Sequence, residues 1–296
     1  MTNSTTANDS PSAVLNPVLV LGGTGKTGRR VAEGLRRGGF TPRVASRSGT
    51  VRFDWSDRSS WDSALAGVRA VYVVDSMSPA APDELRAFGA AAAAQGVERL
   101  VLLSARTWSQ LDDGSGAKLA AERAVQESGL EWTILRPVWF AQNFTEDESF
   151  APLFATGELR LPTGDGRERF VDLEDLADVA VAALTEPGHH GRIYELTGPR
   201  ALSLAEAVAE LSAASGRPLR YVAVTDEEYR EQAAARGHEK GYVDLLLTLF
   251  RHLRANGGIE AADGVREALG REPRDFAEYL GRAEFPPPGP TDTDGS

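Results

Sequence analysis

The stretch from Val18 to Gly39, VLVLGGTGKTGRRVAEGLRRGG, limits what this chain can fold into more than any other. A short apolar run of β-favouring residues meets Gly22, Gly23, Gly25 and Gly28. Val31, Ala32 and Leu35 then recur at helical spacing, until Gly38 and Gly39 stop the helix. The unit is strand, glycine turn, helix. Such a turn lets the backbone approach a pyrophosphate closely, and the first helical amides offer unpaired N–H donors at the positive end of the dipole. Gly22, Gly25 and Gly28 are spaced G-x-x-G-x-x-G, a shifted variant of the G-x-G-x-x-G dinucleotide fingerprint. The string GKT also suggests an NTP-binding loop, but that motif needs a glycine five residues before Gly25, where Val20 stands inside the strand. AVYVVD, ending at Asp75, adds little to the NTP alternative, because buried parallel strands commonly end in Asp. Thr24, Lys26 and Thr27 join the three spaced glycines as cofactor-loop candidates.

The second β-like run, TPRVASRS at 41–48, ends in Ser46, Arg47 and Ser48, where an NAD enzyme usually carries a carboxylate for the ribose 2′-hydroxyl. A guanidinium there matches a 2′-phosphate, so NADP(H) is the expected cofactor, with Lys26 and Arg43 adding positive charge. Strand-like and helix-like segments alternate from 18 to 137: strands at 43–46, 51–55, 70–75, 99–105 and 131–137, and helices at 59–65, 83–95 and 117–127. This alternation implies an α/β fold, a Rossmann-like doubly wound parallel sheet with right-handed crossovers. Ligands then sit beyond the carboxyl ends of the strands, which brings Arg47, Asp54, Trp55, Val74, Asp75, Ser104 and Pro137 to one crevice.

After Pro137 the pattern changes. A helix near 150–155, a strong helix in DLEDLADVAVAAL, a strand at 192–198 and a β-like run at 219–224 lie among mainly helical sequence. Asp172, Glu174 and Asp175 are read as a helix-start cluster. The expected organisation is one NAD(P)-binding domain over 17–284, with a smaller, mainly helical substrate lobe built mainly from 139–284. Polar tails, expected to be disordered, cover 1–16 and 285–296.

Lys plus Arg total 32 against 43 Asp plus Glu, a net charge of −11 that disfavours nucleic acid and anionic membranes as partners. No apolar run approaches the ~20 residues of a membrane span, and the start has no signal-peptide pattern, so a cytoplasmic protein is expected. The chain has no cysteine, and its four histidines lack ligand spacing, so neither thiol chemistry nor a metal is expected.

GGTGKTG, SRS, FDW, LLSA, TILRPVWFAQNF and FVDLEDLADVAVAAL, taken in order, resemble the NmrA-like branch of the atypical short-chain dehydrogenase/reductases. Within the branch the chain is similar to the festuclavine and agroclavine dehydrogenases, and to actinobacterial ketoreductases of the simocyclinone type that tailor aromatic polyketides. The superfamily's catalytic set is a Ser after the fifth strand and a Tyr-x-x-x-Lys on the next helix. The resemblance places Ser104 and Lys118 in those roles, but Gly114 stands where the proton-donating tyrosine belongs.

The resemblance thus implies NADPH-dependent hydride transfer without the usual donor; water, Ser104 or a phenol on the substrate could supply the proton, and solvent or substrate is favoured because an isolated serine hydroxyl is a weak acid. Met77, Arg106, Trp108, Trp139, Phe140, Asn143, Phe144 and Phe170 are the expected substrate wall, suited to a flat polycyclic small molecule. The leading expectation is reduction of a ketone on an aromatic polyketide-like metabolite in antibiotic biosynthesis. Reduction of a C=N or C=C bond in an alkaloid-like substrate, and a non-catalytic NADP(H)-binding redox sensor, are the alternatives.

Overall fold

The computed structural model describes residues 17–257 and 259–287; the expected tail at 1–16 lies outside them. The first half alternates β1 Val18–Leu21, α1 Lys26–Arg37, β2 Pro42–Ser46, β3 Val51–Arg52, α2 Trp61–Leu65, β4 Ala70–Val74, α3 Ala81–Ala94 and β5 Arg99–Leu103. It continues through α4 Arg106–Gln110, α5 Ala120–Gln126 and β6 Glu131–Pro137. Then come α6 Asn143–Glu146, α7 Pro152–Thr156, β7 Glu158–Leu161, β8 Arg167–Glu168, α8 Leu173–Thr185, β9 Arg192–Leu196 and β10 Leu202–Ser203. The chain finishes with α9 Leu204–Ser215, β11 Arg220–Ala223, α10 Asp226–Ala235, α11 Lys240–Arg254, α12 Gly264–Leu269 and α13 Phe276–Leu280.

Seven parallel strands form one sheet in the order β3-β2-β1-β4-β5-β6-β9. Strand order reverses between β1 and β4, which opens a crevice beyond their carboxyl ends, as doubly wound sheets do. β1 is buried on both faces. Val18 and Val20 point into a core closed by α1 and α8, while Leu19 and Leu21 point into the opposite core with Trp61, Leu65, Leu85 and Phe88. The unbroken apolar sequence of β1 and β4, and of β5 after Arg99, follows from this double burial.

Part of the chain after Pro137 returns to the sheet. β9 pairs in parallel with β6 as the seventh strand, and α8 packs on α1 beneath the sheet. What does stand apart is a third core around Phe144, Phe150, Phe170, Leu247, Phe250 and Phe276. It includes two short ribbons, β7 with β11 in parallel and β8 with β10 antiparallel. The expected tail from 285 begins too early, because Phe285 packs on Phe154 and Arg217 donates to the Pro286 carbonyl at 2.5 Å. Residues 288–296 lie outside the described residues.

Helix α4 was not read from the sequence, and the 117–127 helix is a 3-10 turn, Ala117–Leu119, followed by α5. Asp172 caps α8 by accepting from the Glu174 N–H at 2.9 Å, and Asp175, wholly buried, accepts from Arg274 N at 2.7 Å.

One buried carboxyl carries a prediction of its own. Glu168 is 2% exposed and accepts only the Arg169 N–H among the described bonds, at 2.8 Å. Burial pushes its carboxyl up from 4.5 to about 7, against the pull of that N–H and of Arg106. Its favourable contribution is therefore complete below the ordinary carboxyl range and declines as pH rises through about 7. Glu168→Gln is expected to gain more melting temperature over wild type at about pH 8 than at about pH 5. An equal difference at both pH values would mean that Glu168 is ionised throughout.

Candidate functional site

The glycine loop is shaped by close backbone contact. Gly22 takes a φ of +61°, and the Gly25 N–H donates back to the Gly22 carbonyl at 2.9 Å. A Cβ on Gly28 would lie 2.4 Å from the Gly22 carbonyl oxygen and 2.8 Å from Gly23 Cα, so the first turn of α1 can sit against the loop only with glycine there. Gly23 is equally tight against Val44. Gly22, Thr24 and Gly25 face outward, whereas Thr27 is buried beneath the loop. Gly25 caps α1 without a side-chain bond, and no carboxylate occupies the helix's first turn. The helix start therefore presents open N–H donors, a fit to a dinucleotide pyrophosphate.

At the end of β2, Arg47 and Ser48 are exposed beside Ser46, and Asp54 lies close enough to feel the Arg47 charge. The Asp54 carboxylate accepts from the Ser56 N–H and hydroxyl, which hold it below the usual range. Trp55 donates its indole N–H to the Val74 carbonyl at 3.0 Å, tying the β3 loop to the end of β4. Arg43 does not contribute to this region as expected. Its guanidinium is committed to the carbonyls of Ala64 and Ala66 at 2.9 and 2.6 Å, closing the end of α2.

A cleft of about 630 Å³ opens beyond β4, β5 and β6. Val74, Asp75, Met77, Ser104, Trp108, Lys118, Pro137, Trp139, Phe140 and Asn143 line it, together with Lys26 from α1. The Met77 N–H donates to the Asp75 carboxylate at 3.0 Å, a local turn that holds Met77 at a φ of +56° and leaves it 68% exposed at the rim. Burial raises the Asp75 carboxyl against that bond. The Lys118 ammonium lies 5.8 Å from the Trp108 ring centroid. Gly114 sits in an exposed turn at a φ of +86°.

Three expected substrate residues are elsewhere. Phe144 and Phe170 are 1% and 3% exposed and pack on one another and on Phe276 inside the third core. Aromatic residues next to a cleft-lining segment read the same in sequence whether they face inward or outward. Arg106 turns inward too: it pairs with Glu195 at 2.9 Å and donates to the Glu260 carbonyl at 2.6 Å. Lys26 is not a 2′-phosphate ligand here, since its ammonium binds Asp147 at 2.5 Å and Asn143 at 3.0 Å.

The site also contains residues that carried no signal in the sequence. Glu122, 3% exposed, accepts from the Ser104 hydroxyl at 2.6 Å and from Arg136 through two bonds at 2.9 and 2.6 Å. Tyr242, Leu245, Leu246 and Leu249 of α11 close the far wall, and the Tyr242 hydroxyl is 3.3 Å from that of Ser149. Their i, i+3, i+4, i+7 spacing marks a helix face but not what it faces. A second cleft of about 790 Å³ near Arg30 and Tyr279 is lined by arginines already paired with Glu146, Glu174, Asp178 and Asp172. Among the described residues no cluster of His, Asp and Glu could hold a metal ion, and no helix is long and apolar enough to cross a membrane.

This geometry agrees with comparisons to known proteins. A family profile described as NAD(P)H-binding matches residues 22–187. A Streptomyces griseus enzyme named (4-alkanoyl-5-oxo-2,5-dihydrofuran-3-yl)methyl phosphate reductase is 36% identical over 276 residues, covering 88% of this chain and 96% of that protein. Agroclavine dehydrogenase of Claviceps fusiformis is 30% identical over 279 residues, covering 89% and 96%. The NADPH complex of an Escherichia coli NADPH-dependent quinone oxidoreductase shares the fold, with a TM-score of 0.74 at 23% identity over 90% of this chain and 99% of that one. The chain belongs to the NAD(P)H-binding family and is an NAD(P)H-dependent reductase. The sequence resemblance to the NmrA-like reductases agrees with that membership.

Proposed function

We propose that this chain is an NADPH-dependent reductase of a flat, conjugated small molecule, acting in the tailoring of a secondary metabolite in the cytoplasm. The observation that carries the reading is the cleft itself. It lies beyond β4, β5 and β6 and has walls of Trp108, Trp139, Phe140 and Leu249, with the Tyr242 phenol on the far side, while Gly114, four residues before Lys118, lies in an exposed turn outside the lining.

Bound NADPH supplies a hydride. Gly22, Gly25 and Gly28 would hold its pyrophosphate, and Arg47 with Ser46 and Ser48 its 2′-phosphate. Trp139 and Phe140 would hold an aromatic acceptor flat, and positioning of that kind supplies a large share of the rate. A conjugated C=C, C=N or quinone acceptor becomes a stabilised anion or amine that water can protonate, so having glycine at position 114 costs it little. An aryl ketone, the sequence-based expectation, belongs to the same class when it carries a phenol of its own. The relatives named as acting on a dihydrofuranone phosphate and on agroclavine are compatible with this class.

The reading is tested by NADPH oxidation with a panel of quinones, enones, cyclic imines and hydroxylated aryl ketones. Turnover of at least one class is expected, and tight NADPH binding without turnover of any would favour a sensor. Cofactor choice is tested by Arg47→Glu. Arg47 is exposed, so the variant should fold normally while its NADPH dissociation constant rises about 10- to 100-fold and its NADH constant changes little. Equal changes for both cofactors would remove Arg47 from the 2′-phosphate.

A further inference from the structure

Ser104 is the residue that, in the short-chain reductase pattern, would donate its hydroxyl to a substrate carbonyl. Its surroundings here forbid that. Glu122 receives two N–H bonds from Arg136, at 2.9 and 2.6 Å, which fixes it as a carboxylate. A carboxylate only accepts, so the 2.6 Å contact between Ser104 Oγ and Glu122 Oε1 is an O–H donated by the serine. With its single proton committed to a buried charge, Ser104 has only lone pairs left for the cleft it lines. Breaking the bond to free the proton would leave a 3% exposed carboxylate short of a partner.

We infer that Glu122 is a positioning residue that makes Ser104 an obligate acceptor, and that the cleft selects substrates carrying an O–H or N–H donor beside the bond to be reduced. This rests on the reductase reading and narrows its substrate class. A hydroxyl adjacent to a carbonyl is the simplest case: its one proton is donated to Ser104, which orients the carbonyl beside it, and solvent protonates the reduced oxygen. An analogue without the donor leaves the Ser104 lone pairs desolvated and unpaired. Sites built to pair a substrate hydroxyl discriminate strongly against its absence.

The test compares juglone, a naphthoquinone with a hydroxyl beside one carbonyl, with its methyl ether, which keeps the ring system but loses the donor together with juglone's internal hydrogen bond, so the ratio is read against that of the Ser104 variants. NADPH oxidation is followed, with the uncatalysed rate subtracted; the lack of cysteine removes quinone alkylation of thiols as a complication. Wild type is expected to prefer juglone by about 10-fold or more in kcat/KM. Ser104→Ala should lower the ratio at least several-fold, Ser104→Thr should restore most of it, and Glu122→Gln should reduce it, because an amide leaves the serine free to donate or accept. A ratio near one in wild type, or one unchanged in Ser104→Ala, would overturn the inference while leaving the reductase intact. No oxidation of either quinone, or of any other acceptor, would instead remove the reductase reading. An NADPH dissociation constant that rises as much in Ser104→Ala as the ratio falls would assign the Ser104 acceptor to the nicotinamide amide and overturn the substrate claim.

Discussion

Gly28→Val is expected to weaken NADPH binding by at least about 100-fold, close to 3 kcal/mol, while leaving the sheet intact. The ideal Cβ of residue 28 falls 2.4 Å from the Gly22 carbonyl oxygen and 2.8 Å from the Gly22 carbonyl carbon. These are backbone atoms, with no flexible side-chain end to yield, so the first turn of α1 or the loop itself must move. Either movement misaligns the N–H donors from the pyrophosphate, and an ångström of misalignment is enough to lose most of a charge-assisted hydrogen bond. Isothermal titration of the variant with NADPH, alongside its circular dichroism, checks this. Binding within threefold of wild type would show that the loop is not the phosphate cradle.

Glu122→Ala is expected to destabilise the fold by about 3–5 kcal/mol, a fall of roughly 10 °C in melting temperature for a domain of this size. The substitution removes the partner that Arg136 binds through two bonds and leaves it facing only Glu195, at 3.7 Å. The cost is that of a half-buried cation left with one longer-range partner, not of the pair's net worth. The double variant Glu122→Leu with Arg136→Met is therefore expected to recover much of the loss, since neither charge is then stranded. Thermal denaturation of the three proteins decides it. A double variant less stable than Glu122→Ala would show that the pair contributes through its own attraction.

The elements legible in the sequence were those whose pattern reflects a single environment. β1 and β4 are apolar throughout, and β5 after Arg99, because both faces of the sheet are covered, and the glycine loop announces itself because Gly22 and Gly28 meet backbone against backbone. The strand at 192–198 was visible, but its membership of the main sheet was not, since pairing with β6 depends on a crossover that no local pattern encodes.

The site was legible in the same graded way. Ser104 and Pro137 follow from strand ends, because the carboxyl edge of a parallel sheet is where chains of this class build their crevice. Glu122 is hidden in the sequence: one glutamate on an alanine-rich helix looks solvent-facing until the fold places Arg136 against it. Phe144, Phe170 and Arg106 were expected at the cleft and are buried elsewhere, because nearness along the chain to a lining residue says nothing about which way a side chain points. Tyr242 comes from more than a hundred residues beyond Ser104, a distance only the third core bridges.

The most direct measurement is a titration of the intact protein with NADPH and, separately, NADH, followed by quenching of its tryptophan fluorescence. Trp108 and Trp139 line the cleft, and Trp55 is bonded to the carbonyl of Val74, which also lines it. Saturable NADPH binding, with NADH weaker by about tenfold or more, is the expected result. Binding of neither cofactor, or tighter binding of NADH, would contradict the roles given to the glycine loop and to Arg47.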